Sequence, residues 1–282
     1  MLLPRAVASN ERFAAQLVEA KRLRSELVPA GANAAALDAV GLLSEAPLIG
    51  WDDSIHHVRT ALTTALGLAN TPLEELHEHI DAFSPSRASH KRVMIAKERL
   101  LKRLTSQATL RPFTEAFESM ILECCAPQVS EAMPTEDTEL WFPVVPTLRV
   151  QTPSDEIATI RPHVDGMYDL PDGSMNFWVP LTEVSDHSAL WVESEPGLED
   201  FHPLKTPSRF DGRRCMHFTL PNRSSKTRVS LDFRCVPGAY FDPNCRLATL
   251  GYFSSCGRDG PRAPFTTRTV GTPSKLHGMP FK

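Results

Sequence analysis

The sequence predicts an α+β fold, and three observations predict it. Through residue 129 apolar residues recur at helical spacing; beyond it, β-branched and aromatic residues alternate with polar ones. Between the two lies the acidic stretch SEAMPTEDTE, residues 130–139. Helices followed by a run of antiparallel-type strands make a chain with a β-sandwich or barrel core. Three regions follow: 1–129, mainly helical and packed on the core; 130–239, the core itself; and 240–282, a tail rich in Gly, Pro, Ser and Arg and expected to be irregular.

The elements follow in order. Asn10 is placed to cap a helix through Glu26, with Phe13, Leu17, Ala20 and Leu23 on one face. Asn33 opens a second, over AAALDAVGLLSEA, and Ser54 precedes a third, IHHVRTALTTALGLA. Thr71-Pro72 starts a fourth, because proline's missing N–H costs nothing in a first turn. Helical patterns over 89–107 and TEAFESMILECCA complete this half. Strands are expected near 145–151, 157–162, 174–181, 188–193, 213–219 and 227–236, with LPDGS a turn before the third.

Composition narrows the function. At 282 residues the chain can bury a full core, and 41% hydrophobic with 23% charged residues is ordinary for a globular protein. A net charge of −4 argues against a nucleic-acid-binding surface. No run reaches membrane-spanning length, so no membrane partner is expected. The first residues lack the apolar core of a secretory signal, and a cytoplasmic location is expected; their lack of acids is compatible with a short transit peptide. Six cysteines without a C-x-x-C pair fit a reducing compartment.

The chemistry is sought in RPHVDGMYDLPDGSMNFWVPLT, residues 161–182. His163 and Asp165 stand two apart at a strand end, where alternate residues share a face. His79-Ile80-Asp81 has the same spacing inside a helical pattern, where such residues point about 200° apart and cannot easily share a metal. Two His and one carboxylate suit ferrous iron, so a second His is needed from His187, His202, His217 or His277. In RRCMHFTL, His217 shares a strand face with Arg213, Cys215 and Thr219. In TRVSLDFRCV, the residues Arg228, Ser230, Asp232 and Arg234 share one face, either solvated or lining a polar cavity. LPNRSSKT reads as a turn that pairs these two strands and brings His217 near Arg228.

The order His163-x-Asp165, 51 intervening residues, His217, then Arg228-x-Ser230 resembles the Fe(II)/2-oxoglutarate-dependent oxygenases. The likeness covers about 141–237; NFWVPLT and TRVSLDFR look like the small-molecule oxygenases of antibiotic biosynthesis and, more distantly, the phytanoyl-CoA dioxygenases. It implies a double-stranded β-helix (jelly-roll, cupin-like) core and iron held by His163, Asp165 and His217. It also implies 2-oxoglutarate as co-substrate, its distal carboxylate on Arg228 and Ser230, with O2 consumed and succinate and CO2 released. Oxidation of a small polar molecule, usually hydroxylation, would follow, and the presence of Asp165 disfavours halide binding.

Asn176 is placed to bond the co-substrate carboxylate, or to close a strand-end network. Arg149 and Gln151 face either the cavity or the surface; Trp178 and Trp191 read as core or cavity wall, and Tyr168 and Asp169 as substrate contacts or plain loop polarity. Arg149, Arg161, Arg213 and Arg214 hint at an anionic or zwitterionic substrate. Three alternatives stay open: a lyase or isomerase on the same barrel, a non-catalytic small-molecule binding module, and a nucleic-acid face on the basic stretch 86–103. For that stretch, the solvated side of an amphipathic helix is the expected reading, and no oligomeric state follows from the sequence.

Overall fold

The computed structural model describes residues 11–27, 31–68, 70–79, 107–133, 139–155, 158–168, 170–260 and 263–271. The helices are α1 (Glu11–Ser25), α2 (Ala32–Ala39), α3 (Asp52–Ala65), the short α4 (Leu76–His79), α5 (Gln107–Met120) and α6 (Ala126–Ala132). A π-helical turn, Ile121–Cys125, joins the last two, and α7 (Arg246–Thr249) follows the sheets. Helix 89–107, Asp81, Asp169 and the basic stretch 86–103 lie outside the described residues, apart from Gln107 at the start of α5. No described helix is long and apolar enough to cross a membrane.

Among the described residues, eleven strands form two antiparallel sheets. They are β1 (Ala46–Pro47), β2 (Leu140–Pro143), β3 (Thr147–Gln151), β4 (Met175–Pro180), β5 (Leu190–Glu193), β6 (Phe201–Leu204), β7 (Ser208–Phe210), β8 (His217–Thr219), β9 (Arg228–Pro237), β10 (Phe253–Gly257) and β11 (Thr266–Thr269). The eight-stranded sheet runs β1-β7-β4-β9-β2-β10-β11 with β3 also paired to β9, and the three-stranded sheet runs β6-β5-β8. The α+β class is therefore the observed one.

Strand β9 organises the molecule because its two faces differ in chemistry. Val229, Leu231, Phe233 and Cys235 join the apolar cluster that includes Leu62 of α3 and Phe117 of α5. Phe117 meets Phe233 edge-on at 5.0 Å between ring centres, a geometry that aromatic quadrupoles favour. The opposite face carries Arg228, Ser230, Asp232 and Arg234, all buried rather than solvated. A second cluster packs Phe13 and Ala20 of α1 against Val164, Trp191, Met216 and Phe218. A third joins the sheets, with Trp178 and Phe210 of the larger against Leu190, Val192 and Leu204 of the smaller. The polar face of β9 is thereby enclosed between sheets.

Several expectations are corrected. Residues 158–162 form no strand: Pro162 has no N–H, and the Thr159 and Ile160 amides donate to Thr219 Oγ1, at 3.1 and 2.9 Å, instead of to a ladder. The 213–219 strand shrinks to His217–Thr219, because residues 212–214 turn around Asp211, whose carboxylate accepts from the Arg214 amide. β8 pairs with β5 and not with β9, so LPNRSSKT crosses from one sheet to the other. The tail is not irregular throughout: β10 lies between β2 and β11 in the larger sheet. Helix α2 opens before Asn33, with the Asp172 carboxylate accepting from the amides of Gly31 (3.1 Å) and Ala34 (3.4 Å).

Candidate metal centre

His163 and His217 meet through their backbones. His163 N–H donates to the His217 carbonyl at 3.2 Å and His217 N–H to the His163 carbonyl at 2.9 Å, an isolated bridge that sets the imidazole centres 4.2 Å apart. Asp165 does not continue a strand. It opens a 3-10 turn, Asp165–Met167, and its amide donates to the Gly212 carbonyl at 2.7 Å. Gly166 permits this close approach, since a Cβ there would fall 2.9 Å from the Arg213 carbonyl oxygen.

His163, Asp165 and His217 each present one ligand atom, all within 4.8 Å of one another. Asp165 Oδ1 stands 3.5 Å from His163 Nε2 and 3.7 Å from His217 Nε2. Donors ~2.1 Å from one ion at right angles stand ~3 Å apart, so both gaps are within an ångström of a shared metal. Each Nδ1 bonds a carbonyl, His163 to Arg161 at 2.8 Å and His217 to Cys215 at 3.1 Å. A carbonyl can only accept, so the proton is on Nδ1 and the Nε2 lone pair faces the cluster. Asp165 Oδ1 is buried with no hydrogen-bond partner, an unsatisfied acceptor that a cation would satisfy. The donor set therefore fits a divalent first-row metal.

Electrostatics keep His217 and Asp165 deprotonated. Burial, and then the neighbouring His163, push His217 down to about 4. Burial pushes the Asp165 carboxyl up, but Arg234 foremost, and then the two imidazoles, hold it well below the usual carboxylate range. Asp165 Oδ2 is fully engaged: Arg234 donates from Nε at 2.9 Å and Nη2 at 2.5 Å, and Asn176 Nδ2 donates as well. Asn176 thus contacts the carboxylate of the His163/Asp165/His217 cluster, with Gly212 packed so close that a Cβ there would strike its amide. Arg234 also pairs with Asp232 at 3.4 Å, and Asp232 with Arg149 at 2.9 Å.

Arg228 differs from every other buried charge described. Asp165, Asp232 and Arg234 pair among themselves, Glu193 pairs with Arg24, and Asp211 with Arg214. Arg228 is fully buried and donates only to neutral groups: Ser230 Oγ at 2.6 Å, Gln151 Oε1 at 2.8 Å and the Ser188 carbonyl at 3.2 Å. Burial foremost, and the positive Arg149 second, lower it to about 9. Trp178 lies beside it, ring centre 5.8 Å from the guanidinium carbon, with its Nε1 buried and lacking a hydrogen-bond partner.

The other singled-out residues are placed as follows. Gln151 is buried on Arg228, and Tyr168 meets the His163 ring edge-on at 5.6 Å. Trp191 belongs to the α1 cluster. His187 is exposed and His202 pairs with Glu45 at 2.6 Å, both apart from the cluster, while His277 lies outside the described residues. Arg149, Arg213 and Arg214 pair internally, with Asp232, Asp172 and the Asp38/Asp211 pair, which removes their hint about the substrate. Sequence reasoning missed the role of Arg234, although its even spacing from Arg228 put it on the right face.

No protein-family model matches the chain. It is 28% identical over 156 residues to a protein named streptomycin biosynthesis protein StrG, of Streptomyces griseus, covering 54% of this chain and 75% of that one. Among solved structures it is similar to a nickel complex of the non-heme monooxygenase ThoJ at 14% identity and a TM-score of 0.38, over 91% of this chain and 87% of that one. It is also similar to AviO1 from Streptomyces viridochromogenes Tue57, at 12% identity and a TM-score of 0.35, over 74% and 97%.

Proposed function

We propose that the chain is an Fe(II)- and 2-oxoglutarate-dependent oxygenase on a double-stranded β-helix core, hydroxylating or otherwise oxidising a small polar molecule such as an amino acid or secondary-metabolite intermediate. The observation that carries the reading is Arg228: a buried guanidinium with only neutral partners, in the same interior as a cluster of two imidazoles and a carboxylate. A buried charge without an opposite charge is costly, so the interior is built to receive an anion. The Arg149, Asp232, Arg234 and Asp165 charges cancel. Arg228 would then be left as an uncompensated side-chain cation in this interior, which suits an anionic co-substrate beside a bound divalent metal. The similarity to a streptomycin-biosynthesis protein supports a place in small-molecule biosynthesis.

His163, Asp165 and His217 would hold the iron, which when bound supplies the redox chemistry that activates O2. Arg228 binds the distal carboxylate as a charged donor, and Ser230, whose Oγ accepts from Arg228, has its own proton to donate. Trp178 Nε1 is a further donor beside them. Gln151 orients Arg228 and is itself held by a bond from its Nε2 to the Leu220 carbonyl at 2.5 Å. Burial of these groups excludes water from the co-substrate. In the overall balance one atom of O2 enters succinate, the other the substrate, and CO2 leaves. Arg161 is exposed beside His163 with no described carboxylate in contact, and is the cation of the original four available to an anionic group on the substrate. The test is succinate release from 2-oxoglutarate with Fe(II), ascorbate and air: turnover is expected in the wild type and lost in His163→Ala. Its absence in the wild type under all substrates tried, together with no binding of 2-oxoglutarate, contradicts the proposal.

A further inference from the structure

We infer that Arg234 is a positioning residue that makes Asp165 a one-oxygen ligand, by holding Oδ2 in its guanidinium fork so that Oδ1 alone reaches the metal. This rests on the metal-binding part of the proposed function and not on the co-substrate. The two oxygens of Asp165 are treated unequally. Oδ2 accepts from Arg234 Nε, Arg234 Nη2 and Asn176 Nδ2, and Oδ1 accepts from nothing. A free carboxylate can chelate a metal with both oxygens; one whose Oδ2 is saturated by three donors cannot turn that oxygen to the ion without breaking them. The planar fork matters as much as its charge, since Nε and Nη2 reach one oxygen from a fixed plane that an ammonium cannot reproduce.

Arg234 is itself held. Its Nη1 stands 3.4 Å from Asp232 Oδ1, and Asp232 Oδ2 accepts from Arg149 Nη2 at 2.9 Å and Nε at 3.3 Å. The chain of alternating charges thus begins at Arg149 on β3, passes through Asp232 and Arg234 on β9, and ends on the metal-facing carboxylate. The register fixes its rungs: Thr147 lies opposite Asp232, Arg149 opposite Ser230, and Asn176 opposite Arg234. Asn176 and Arg234 therefore approach Oδ2 from neighbouring strands of one sheet.

The test uses Co(II) as the probe, titrated into the metal-free full chain without air and followed by its visible absorption, with circular dichroism and thermal melting as the check of fold. Wild type, Arg234→Lys and Arg234→Met are compared. The expected result is a Co(II) affinity about 10–100-fold weaker in both variants, the usual effect of losing an outer partner of a metal ligand. The visible spectrum changes with it, and lysine does not rescue either. A folded Arg234→Lys or Arg234→Met variant with wild-type affinity and spectrum overturns the inference while leaving the metal site standing. A wild type that takes up no Co(II) overturns both. Infrared difference spectra of the wild type upon Co(II) binding read the same point without a variant. One-oxygen ligation widens the splitting of the carboxylate stretches relative to the free carboxylate; a narrowed splitting, the mark of two-oxygen ligation, overturns the inference.

Discussion

His163 and His217 exchange backbone hydrogen bonds at 3.2 and 2.9 Å, so two imidazoles from distant parts of the chain are set side by side by main chain, and each is then oriented by its own Nδ1 bond to a carbonyl. Metal binding to such a prepared pair needs little rearrangement. Added Co(II) or Fe(II) is expected to raise the melting temperature, by about 2.7 kcal/mol of stability at a free metal concentration near 100 times Kd. The shift disappears in His163→Ala. Differential scanning fluorimetry without air checks it, and an unchanged melting temperature in the wild type counts against a metal at this site.

Acid should unfold the metal-free protein partly through His217. Its folded value, lowered to about 4 by burial and then by His163, lies below the ordinary 6.5 of an unfolded imidazole. Above pH 6.5 both states are neutral there and His217 contributes no slope. Between 6.5 and about 4 the unfolded chain binds a proton that the folded one refuses, so stability falls as pH falls, by up to about 1.4 kcal/mol per unit. Urea unfolding of metal-free protein between pH 7.5 and 5 is expected to show a shallower loss in His217→Gln than in the wild type. Equal slopes would exclude His217 as a source of acid sensitivity.

Gln151→Glu puts a carboxylate where Arg228 Nη2 now meets an amide oxygen at 2.8 Å. The internal partner competes with an external anion. A charge-assisted hydrogen bond contributes about 1.5–3 kcal/mol, so 2-oxoglutarate affinity is expected to fall roughly ten- to a hundredfold. The Co(II) affinity is expected to stay unchanged, and circular dichroism checks the fold because the glutamate also loses the bond that Gln151 Nε2 donates to the Leu220 carbonyl. Isothermal titration of the metal-loaded protein decides; an unchanged affinity would remove Arg228 from the anion site.

Phe117→Ala tests how the helices are coupled to the sheet. Phe117 is fully buried, with rings of Phe142 and Phe233 at 6.4 and 5.0 Å. Truncation is expected to cost about 3–5 kcal/mol. If helices and sheets form one cooperative unit, near-ultraviolet and far-ultraviolet melting curves shift together; two separated transitions would show independent units.

The site was more legible in the sequence than the fold around it. Period-two alternation over Arg228–Cys235 marked two faces correctly, because one was apolar throughout and both are buried. Short strands were missed where composition opposes them: β6 contains Pro203, tolerated because it is an edge strand, and β10 is Phe-Ser-Ser-Cys-Gly. Pairing of β8 with β9 was expected from their nearness in sequence, yet the connection crosses between sheets, and nothing local encodes that. The cap of α2 comes from Asp172, far along the chain, where no local pattern could point. Likewise the neutral partners of Arg228 and the saturation of Asp165 Oδ2 are tertiary facts, assembled from three strands and two turns.

The central claim is that one interior holds ferrous iron and 2-oxoglutarate together, and anaerobic absorption spectroscopy tests it most directly. Adding 2-oxoglutarate to the Fe(II)-loaded wild type without O2 is expected to produce a saturable visible charge-transfer band. The band is absent in His163→Ala and requires far more 2-oxoglutarate in Gln151→Glu. No 2-oxoglutarate-dependent band in a wild type that has bound one equivalent of Fe(II) would contradict the account.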